Sequence, residues 1–201
     1  MPTARKPRRT QQQRRETTRR ELLQATVEML VEHGWAGATT TRICARAGFS
    51  QGALFSHFPT KSALVAAAAE VLFANLNELF QTRLPLLAGA QDRAEASVRV
   101  LWEIFLEPQL HAAFELYNAS RTDRELARIL APVADQHGAN LRRIARELFP
   151  NVAGRPDFET TVSLVVNALQ GAALGSLAGR DFETHEPMLA ALTELVRKEV
   201  A

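Results

Sequence analysis

The residues best suited to contact another molecule lie in one short stretch, from Thr39 to Lys61. Side chains of these types read the edges of DNA bases or bind phosphates. Gln51 is expected to contact a base edge, most naturally adenine, and Phe55 a thymine methyl. The threonines, Ser56, His57 and Lys61 are assigned to phosphates. The full set of expected DNA contacts is Thr39, Thr40, Thr41, Ser50, Gln51, Gly52, Ala53, Phe55, Ser56, His57 and Lys61.

Two short helices joined by a tight turn are predicted to hold these side chains. Thr39 or Thr40 caps the first helix, because a hydroxyl accepts from the free backbone N–H groups of a first turn. Gly48 suits the left-handed backbone that ends a helix. Ser50 caps the second helix, and Pro59 ends it, because the residue before a proline is pushed out of the helical region. This is the shape of a module that enters the DNA major groove.

The inward side of the same stretch is apolar. Ile43 and Ala47 lie one turn apart on the first helix, and Leu54 and Phe58 lie one turn apart on the second. Cys44 falls where the two helices cross, so we interpret it as a small buried residue and not as a nucleophile.

Catalytic chemistry finds little support in the chain. The five histidines are scattered without a pair at metal-ligand spacing, and no glycine-rich phosphate loop occurs. We therefore expect no catalytic residue, no metal and no cofactor. A helical enzyme is the alternative from another class.

Charge is divided unevenly along the 201 residues. Residues 1–20 hold eight basic residues and one acidic residue, whereas the rest hold 16 basic and 21 acidic residues. Residues 1–15 are expected to form a disordered basic arm that strengthens DNA binding through counterion release. A solvated tail is the alternative for the arm, and a protein that coats DNA without sequence preference is the alternative for the chain. One cysteine and no secretory signal fit the cytoplasm.

The motif resembles the DNA-binding domain of the TetR family of bacterial transcriptional regulators. The match covers about Glu16 to Val71. It includes the end of the first helix, His33-Gly-Trp-Ala-Gly-Ala38, and the start of a later long helix, Phe58-Pro-Thr-Lys61-Ser-Ala-Leu64. The family most often carries, in place of Phe55, a tyrosine that reaches a phosphate, so one phosphate contact is expected to be missing. The resemblance implies a homodimer on a palindromic double-stranded operator, and a repressor that a small molecule releases.

The remaining sequence predicts an all-α fold of about nine helices, divided into the arm, a helix-turn-helix domain (16–76) and a ligand-binding and dimerisation domain (77–201). Capping boxes are expected at Thr18-x-x-Glu21 and at Thr122-x-x-Glu125. Pro85 is expected to end a helix that begins near Thr60, and Pro132 to kink or delay a later one. The other predicted helices cover 92–106, 109–120, 157–177 and 185–200. The uncharged run Thr160 to Gly179 is interpreted as a buried helix and not as a membrane span.

The last two helices are expected to form the dimer interface. Small residues recur every four positions at Gly171, Gly175 and Gly179, and small residues let another backbone approach closely. Packing within one chain is the alternative. The predicted interface residues are Gly171, Gly175, Met188, Leu192, Leu195 and Val196.

The resemblance also implies a pocket for a largely apolar effector between the two ends of the chain. Its expected apolar lining is aromatic-rich, with a few polar residues that would need partners if buried. For most apolar members, plain core packing is the alternative. The candidates are Phe73, Leu76, Phe80, Trp102, Phe105, His111, Phe114, Tyr117, Asn118, Arg121, Asn167 and Gln170.

Overall fold

The computed structural model describes residues 10–177 and 185–200, and these form helices without any strand. The predicted all-α class with about nine helices is confirmed. In chain order the described helices are α1 (Gln11–Gly37), α2 (Thr40–Ala47), α3 (Gln51–His57), α4 (Lys61–Ala88), α5 (Arg93–Phe105), α6 (Pro108–Ser120), α7 (Arg124–Leu148), α8 (Phe158–Leu177) and α9 (Glu186–Val200).

Helix α1 begins earlier than predicted. Thr10 is its N-cap and forms a capping box with Gln13, so the predicted start at Thr18 and Glu21 is wrong. Both boxes have a hydroxyl followed by a long polar residue three positions on, and sequence spacing alone does not rank them. Residues 11–15, which were assigned to a disordered arm, are therefore helical. Residues 1–9 of that arm lie outside the described residues.

Two prolines lie inside helices. Helix α4 continues through Pro85, so the predicted end at that residue is wrong. Helix α7 begins at Arg124, ahead of Pro132, so Pro132 does not delay it, and the predicted kink stays a prediction. Each proline removes one backbone hydrogen bond. Pro132 lies in the cleft between α4 and α7, and contacts between these helices help to hold α7 where that hydrogen bond is missing. The N-cap of α7 is Asp123, whose carboxylate accepts from the N–H of Leu126, and not the predicted Thr122.

One apolar core joins the N-terminal helices to the rest of the molecule. Helix α1 packs against α2, α4 and α6, while α5 packs against α8 and α9. The fully buried side chains include Leu22, Ile43, Leu54 and Leu64 from the first four helices and Leu116 from α6. The short helices α2 and α3 are thus held on a continuous hydrophobic support.

Helix α8 is only partly covered by its own chain. Its buried side carries Phe158, Thr161, Val165, Leu169 and Ala173. Most of the helix is otherwise accessible, which differs from the expectation of a buried helix. Helix α8, and residues 61–87 of α4, are each long and apolar enough to cross a membrane by length and composition alone.

Candidate nucleic-acid interface and internal cavity

The turn between α2 and α3 has the geometry that the sequence predicts. Gly48 adopts φ 73° and ψ 27°, which is the left-handed region, and the N–H of Phe49 donates to the carbonyl of Cys44 over 3.1 Å. The Thr39 hydroxyl accepts from the N–H of Arg42 over 3.3 Å, and the Ser50 hydroxyl from the N–H of Ala53 over 3.1 Å. Both helix starts are therefore capped as predicted, with Thr39 as the first cap.

The inward side of this helix-turn-helix is fully packed. Ile43 and Leu54 are completely buried, and Phe58 and Cys44 are nearly so. Burial raises the pKa of the Cys44 thiol, which favours its protonated form. The predicted burial of Cys44 between the two helices is confirmed, and α3 is held in position by this core.

The outward side of α3 is accessible to a partner. Gln51, Gly52, Ser56 and Phe55 are exposed, with Phe55 at 44%. The Gln51 side-chain nitrogen donates to the Thr41 hydroxyl over 2.8 Å, which orients the amide and leaves its oxygen and one N–H available. Among the other predicted contacts, Thr39, Thr41 and Ser50 are exposed, and the half-buried ones are Thr40, Ala53, His57 and Lys61.

Lys61 sits against the end of α1. Its ammonium donates to the Trp35 carbonyl over 3.1 Å and lies 4.0 Å from the centroid of the Trp35 ring. Desolvation lowers the pKa of Lys61, while the charge of Asp123 raises it. The ammonium keeps hydrogens beyond the one given to Trp35, so its phosphate contact stays a prediction.

Arginines of α1 adjoin the far end of α3. Burial lowers the pKa of His57, and the positive charges of Arg15 and Arg19 lower it further. The Arg19 guanidinium lies 5.0 Å from the Phe58 ring centroid. Part of the basic segment is therefore held on a helix beside the predicted DNA contacts.

Polar contacts that sequence reasoning missed join the helix-turn-helix to the rest of the chain. A carboxylate oxygen of Glu115 in α6 accepts from the N–H of Trp35 over 2.8 Å. The Thr60 hydroxyl donates to Glu125 over 2.9 Å, and the Ser62 hydroxyl donates to Asp123 over 3.0 Å. These partners lie 61–80 positions apart in the chain, beyond the reach of local patterns.

An apolar cavity of about 80 Å³ lies among α4, α5, α7, α8 and α9. Its walls are mostly aliphatic, and three polar residues, Ser97, Thr161 and Glu199, are among them. The remaining lining residues are Phe80, Leu87, Val98, Val100, Leu101, Leu141, Ile144, Ala145, Leu148, Phe149, Phe158, Val162, Val165, Val166, Val196 and Val200.

Most residues proposed for the effector pocket lie elsewhere. Of the candidates, only Phe80 lines the apolar cavity. Exposed polar candidates are Asn118, Arg121 and Asn167, and Gln170 is half-buried. Asn167 lies on the open side of α8, so in the single chain it does not carry the cost of a buried amide. The aromatic and histidine candidates lie in or against the core: Phe73, Leu76, Trp102, Phe105, His111, Phe114 and Tyr117.

Local contacts explain where several of these aromatics lie. The rings of Phe105 and Phe114 stack at 6.3 Å, and Phe73 lies 5.7 Å from Tyr117 and 4.9 Å from His137. Burial raises the pKa of Tyr117 to about 12. Phe73 also lines a more open and polar cleft of about 400 Å³ between α4 and α7. For these residues, core packing is the interpretation that the geometry favours.

The predicted dimer residues divide between the two last helices. Met188, Leu192, Leu195 and Val196 of α9 are partly buried against the core of their own chain. Gly171 is exposed, Gly175 is half-buried, and Gly179 lies outside the described residues. The open side of α8 carries a stripe of exposed residues at alternating spacings of three and four, of which only Gly171 was among the predicted interface residues. The stripe consists of Thr160, Leu164, Asn167, Gly171 and Leu174.

A helical protein that presents a capped and exposed α3 in this way is a helix-turn-helix DNA-binding protein. Residues 22–68 match the model of the bacterial regulatory proteins, tetR family. The chain is 36% identical over 189 residues to an uncharacterised HTH-type transcriptional regulator of Mycobacterium tuberculosis, covering 92% of this chain and 96% of that protein. The chain belongs to the TetR family of bacterial transcriptional regulators, and it is a DNA-binding regulator.

Two further likenesses extend over nearly the whole chain. The HTH-type transcriptional regulator CymR of Pseudomonas putida is 28% identical over 199 residues, covering 96% of each chain. The crystal structure of the multidrug binding protein EbrR complexed with ethidium has a TM-score of 0.69 at 23% identity, covering 89% of this chain and 97% of that chain. The likeness to EbrR shows a shared fold.

Proposed function

We propose that this regulator is a cytoplasmic, non-enzymatic homodimer that represses transcription from a palindromic operator and is released when a small molecule fills the apolar cavity. The observation that carries the proposal is the open face of α3, where Gln51 and Phe55 are exposed above a rigid core. Relatives over the full chain length are transcriptional regulators.

Sequence reading is assigned to Gln51. The contact with Thr41 holds its amide at the start of α3, with one oxygen and one N–H free to pair with adenine. Phe55 supplies an apolar contact for a thymine methyl. The hydroxyls of the three threonines (39–41) and of Ser56 bind phosphates, as do His57 and Lys61. Arg15 and Arg19, with residues 1–9, add sequence-independent attraction to the DNA backbone.

Dimerisation is assigned to the open stripe of α8. A stripe with alternating spacings of three and four is typical of a helix that packs against another helix. Leu164 is 54% and Leu174 is 41% exposed in the single chain, while a Cβ added at Gly171 would meet no atom within 4 Å. A second copy of α8 would cover these apolar groups. Two helix-turn-helix units related by a twofold axis then match a palindromic operator.

Release is assigned to α4, which spans both sites. Its first residue, Lys61, adjoins the helix-turn-helix, and Phe80 and Leu87 further along line the cavity. A ligand larger than the cavity of about 80 Å³ must push its walls apart. Because helices are stiff, movement at Phe80 shifts the other end of α4 and the distance between the two α3 helices. EbrR, which shares this fold, was crystallised with ethidium.

The test is selection of bound duplexes from a random pool, followed by titration of the best duplex against a scrambled one. The proposal predicts a palindromic sequence bound by two copies of the chain. Gln51→Ala should relax preference at one base per half-site, while Gln91→Ala, an exposed glutamine outside the helix-turn-helix, should not. Equal binding to every duplex with a steep salt dependence would instead indicate a DNA-coating protein.

A further inference from the structure

We infer that the effector is an uncharged, mostly apolar molecule with one hydrogen-bonding group, and that Ser97 binds this group. The inference rests on the proposed role of the apolar cavity as the effector site. Two features of the cavity wall support this ligand chemistry: the unpartnered hydroxyl of Ser97, and the absence of a basic side chain among the lining residues.

Ser97 is a buried polar residue without a partner. It lies on α5 among the lining residues, is 6% exposed, and its Oγ makes no hydrogen bond. In the described part of the chain, the other buried side-chain atoms without a partner belong to Asn77, Gln109 and His111, and none of these lines the apolar cavity. A ligand that supplies a partner removes the penalty of a buried, unsatisfied hydroxyl.

The second polar group of the wall is already engaged. The Thr161 hydroxyl, on α8, donates to the Glu199 carboxylate over 3.3 Å. Thr161 is buried with its hydroxyl hydrogen bonded to Glu199, and Glu199 is half-buried, with further acceptor sites that water can reach. Ser97 is therefore the polar group of the wall that is buried without a partner.

Charge on the ligand is disfavoured by the rest of the wall. No basic side chain is among the lining residues, and the carboxylate of Glu199 repels an anion. Arg93 donates to the Leu148 carbonyl and Arg155 to the Glu199 carbonyl, and neither arginine is among the residues that line the cavity. A cation would lose its hydration in a cavity whose walls are mostly aliphatic.

Size limits the ligand further. The cavity of about 80 Å³ is smaller than the roughly 150 Å³ of a protein cavity that binds benzene, so even one six-membered ring must push its walls apart, as the proposed release requires. We therefore choose probes that share a six-membered ring and differ in the group attached to it. Cyclohexane, cyclohexanol, cyclohexanecarboxylate and protonated cyclohexylamine form such a set.

The experiment measures binding of each probe to the full chain by ¹H–¹⁵N chemical shift titration at pH 7. Cyclohexanol should bind about three- to tenfold more tightly than cyclohexane, as expected for one net hydrogen bond. The carboxylate and the ammonium should bind at least about tenfold more weakly than the alcohol. Ser97→Ala should abolish the advantage of cyclohexanol and leave cyclohexane unchanged. The matched control is Ser163→Ala, an exposed serine of α8 outside the cavity, which should change nothing.

Three results would overturn the inference: a charged probe that binds as tightly as the alcohol, an alcohol advantage that survives Ser97→Ala, or no binding of cyclohexanol. Release from the selected duplex, measured in parallel by fluorescence anisotropy, separates the two proposals. Cyclohexanol that binds through Ser97 without releasing DNA supports the inferred chemistry and contradicts the proposed function. Release by the carboxylate supports the proposed function and contradicts the inferred chemistry.

Discussion

Replacement of Gly34 by alanine is expected to destabilise the protein more than the same change at Gly48. Gly34 adopts φ 64° and ψ −175°, a region open almost only to glycine. It also lies against α6, where an added Cβ would overlap the Glu115 carboxylate, with its Cδ only 2.8 Å away. The carboxylate would have to move, and its hydrogen bond with the N–H of Trp35 would be lost.

The magnitude follows from two effects. A non-glycine residue in the Gly34 conformation costs about 1–3 kcal/mol. Loss of an exposed hydrogen bond between Glu115 and Trp35 costs about 1 kcal/mol. Gly34→Ala should therefore lower the free energy of unfolding by about 2–4 kcal/mol. At Gly48 an added Cβ meets no atom within 4 Å, so Gly48→Ala should cost only the left-handed strain, about 1 kcal/mol.

The assay is urea unfolding followed by circular dichroism, at one protein concentration because dimerisation contributes to stability. Glu115→Ala and the double variant with Gly34→Ala complete a thermodynamic cycle. The double variant should lose about 1 kcal/mol less than the two single losses added together, since the same hydrogen bond is lost only once. Equal losses for Gly34→Ala and Gly48→Ala, or strictly additive losses in the cycle, would refute this account of the contact with α6.

Three further changes test the DNA contact, the dimer and the half-buried His137. Gln51→Ala should cost about 1–3 kcal/mol of discrimination at one base, measured by duplex competition; uniform weakening would refute its base contact. Leu164→Glu should raise the dimer dissociation constant, measured by analytical sedimentation, at least about thirtyfold. Leu86→Glu, at an exposed leucine of α4, should leave that constant unchanged. Equal effects of the two substitutions would mean that α8 is not in the dimer interface. Burial lowers the pKa of His137, so stability to urea should fall as the pH drops below about 6.5. His137→Phe should flatten that decline, and an unchanged profile would contradict the assignment.

The sequence was sufficient to predict the helix-turn-helix because its structure is locally determined. Gly48, Ser50 and Pro59 each impose a backbone state within a few residues, and Leu54 and Phe58 mark the inward face. The predicted turn and both caps are confirmed in the structure. The roles of Gln51 and Lys61 toward DNA stay predictions.

Helix boundaries were harder wherever distant contacts compete with local preference. Pro85 and Pro132 lie inside α4 and α7 although each removes a backbone hydrogen bond, and for Pro132 the packing of α7 on α4 helps to offset that loss. At Thr10 the sequence offers a second capping box ahead of the one at Thr18, and the earlier one is used. Propensity alone does not decide such cases.

The cavity was the least predictable part of the molecule. Its wall consists mainly of valine and leucine, and their spacing in the sequence is the same as that of ordinary core residues. Sequence reasoning therefore favours aromatic residues such as Phe105 and Phe114 as the pocket lining, but in the structure these two rings stack on each other. Ser97 lies between Ala96 and Val98 on α5, and a hydroxyl between two apolar residues was the available sequence signal for a polar group in the cavity wall. The open side of α8 was also missed, because the stripe through Leu164 and Leu174 becomes visible only when the opposite side is seen to be buried.

The most direct test of the central claim, sequence-specific DNA binding through α3, is the affinity of the purified full chain for a selected palindromic duplex and for a scrambled duplex of the same composition. We expect the chain to bind the selected duplex at least about 1,000-fold more tightly than the scrambled one at physiological salt. Gln51→Ala should reduce this ratio by changing the preference at one base per half-site. Equal affinity for both duplexes, with or without the substitution, would contradict it.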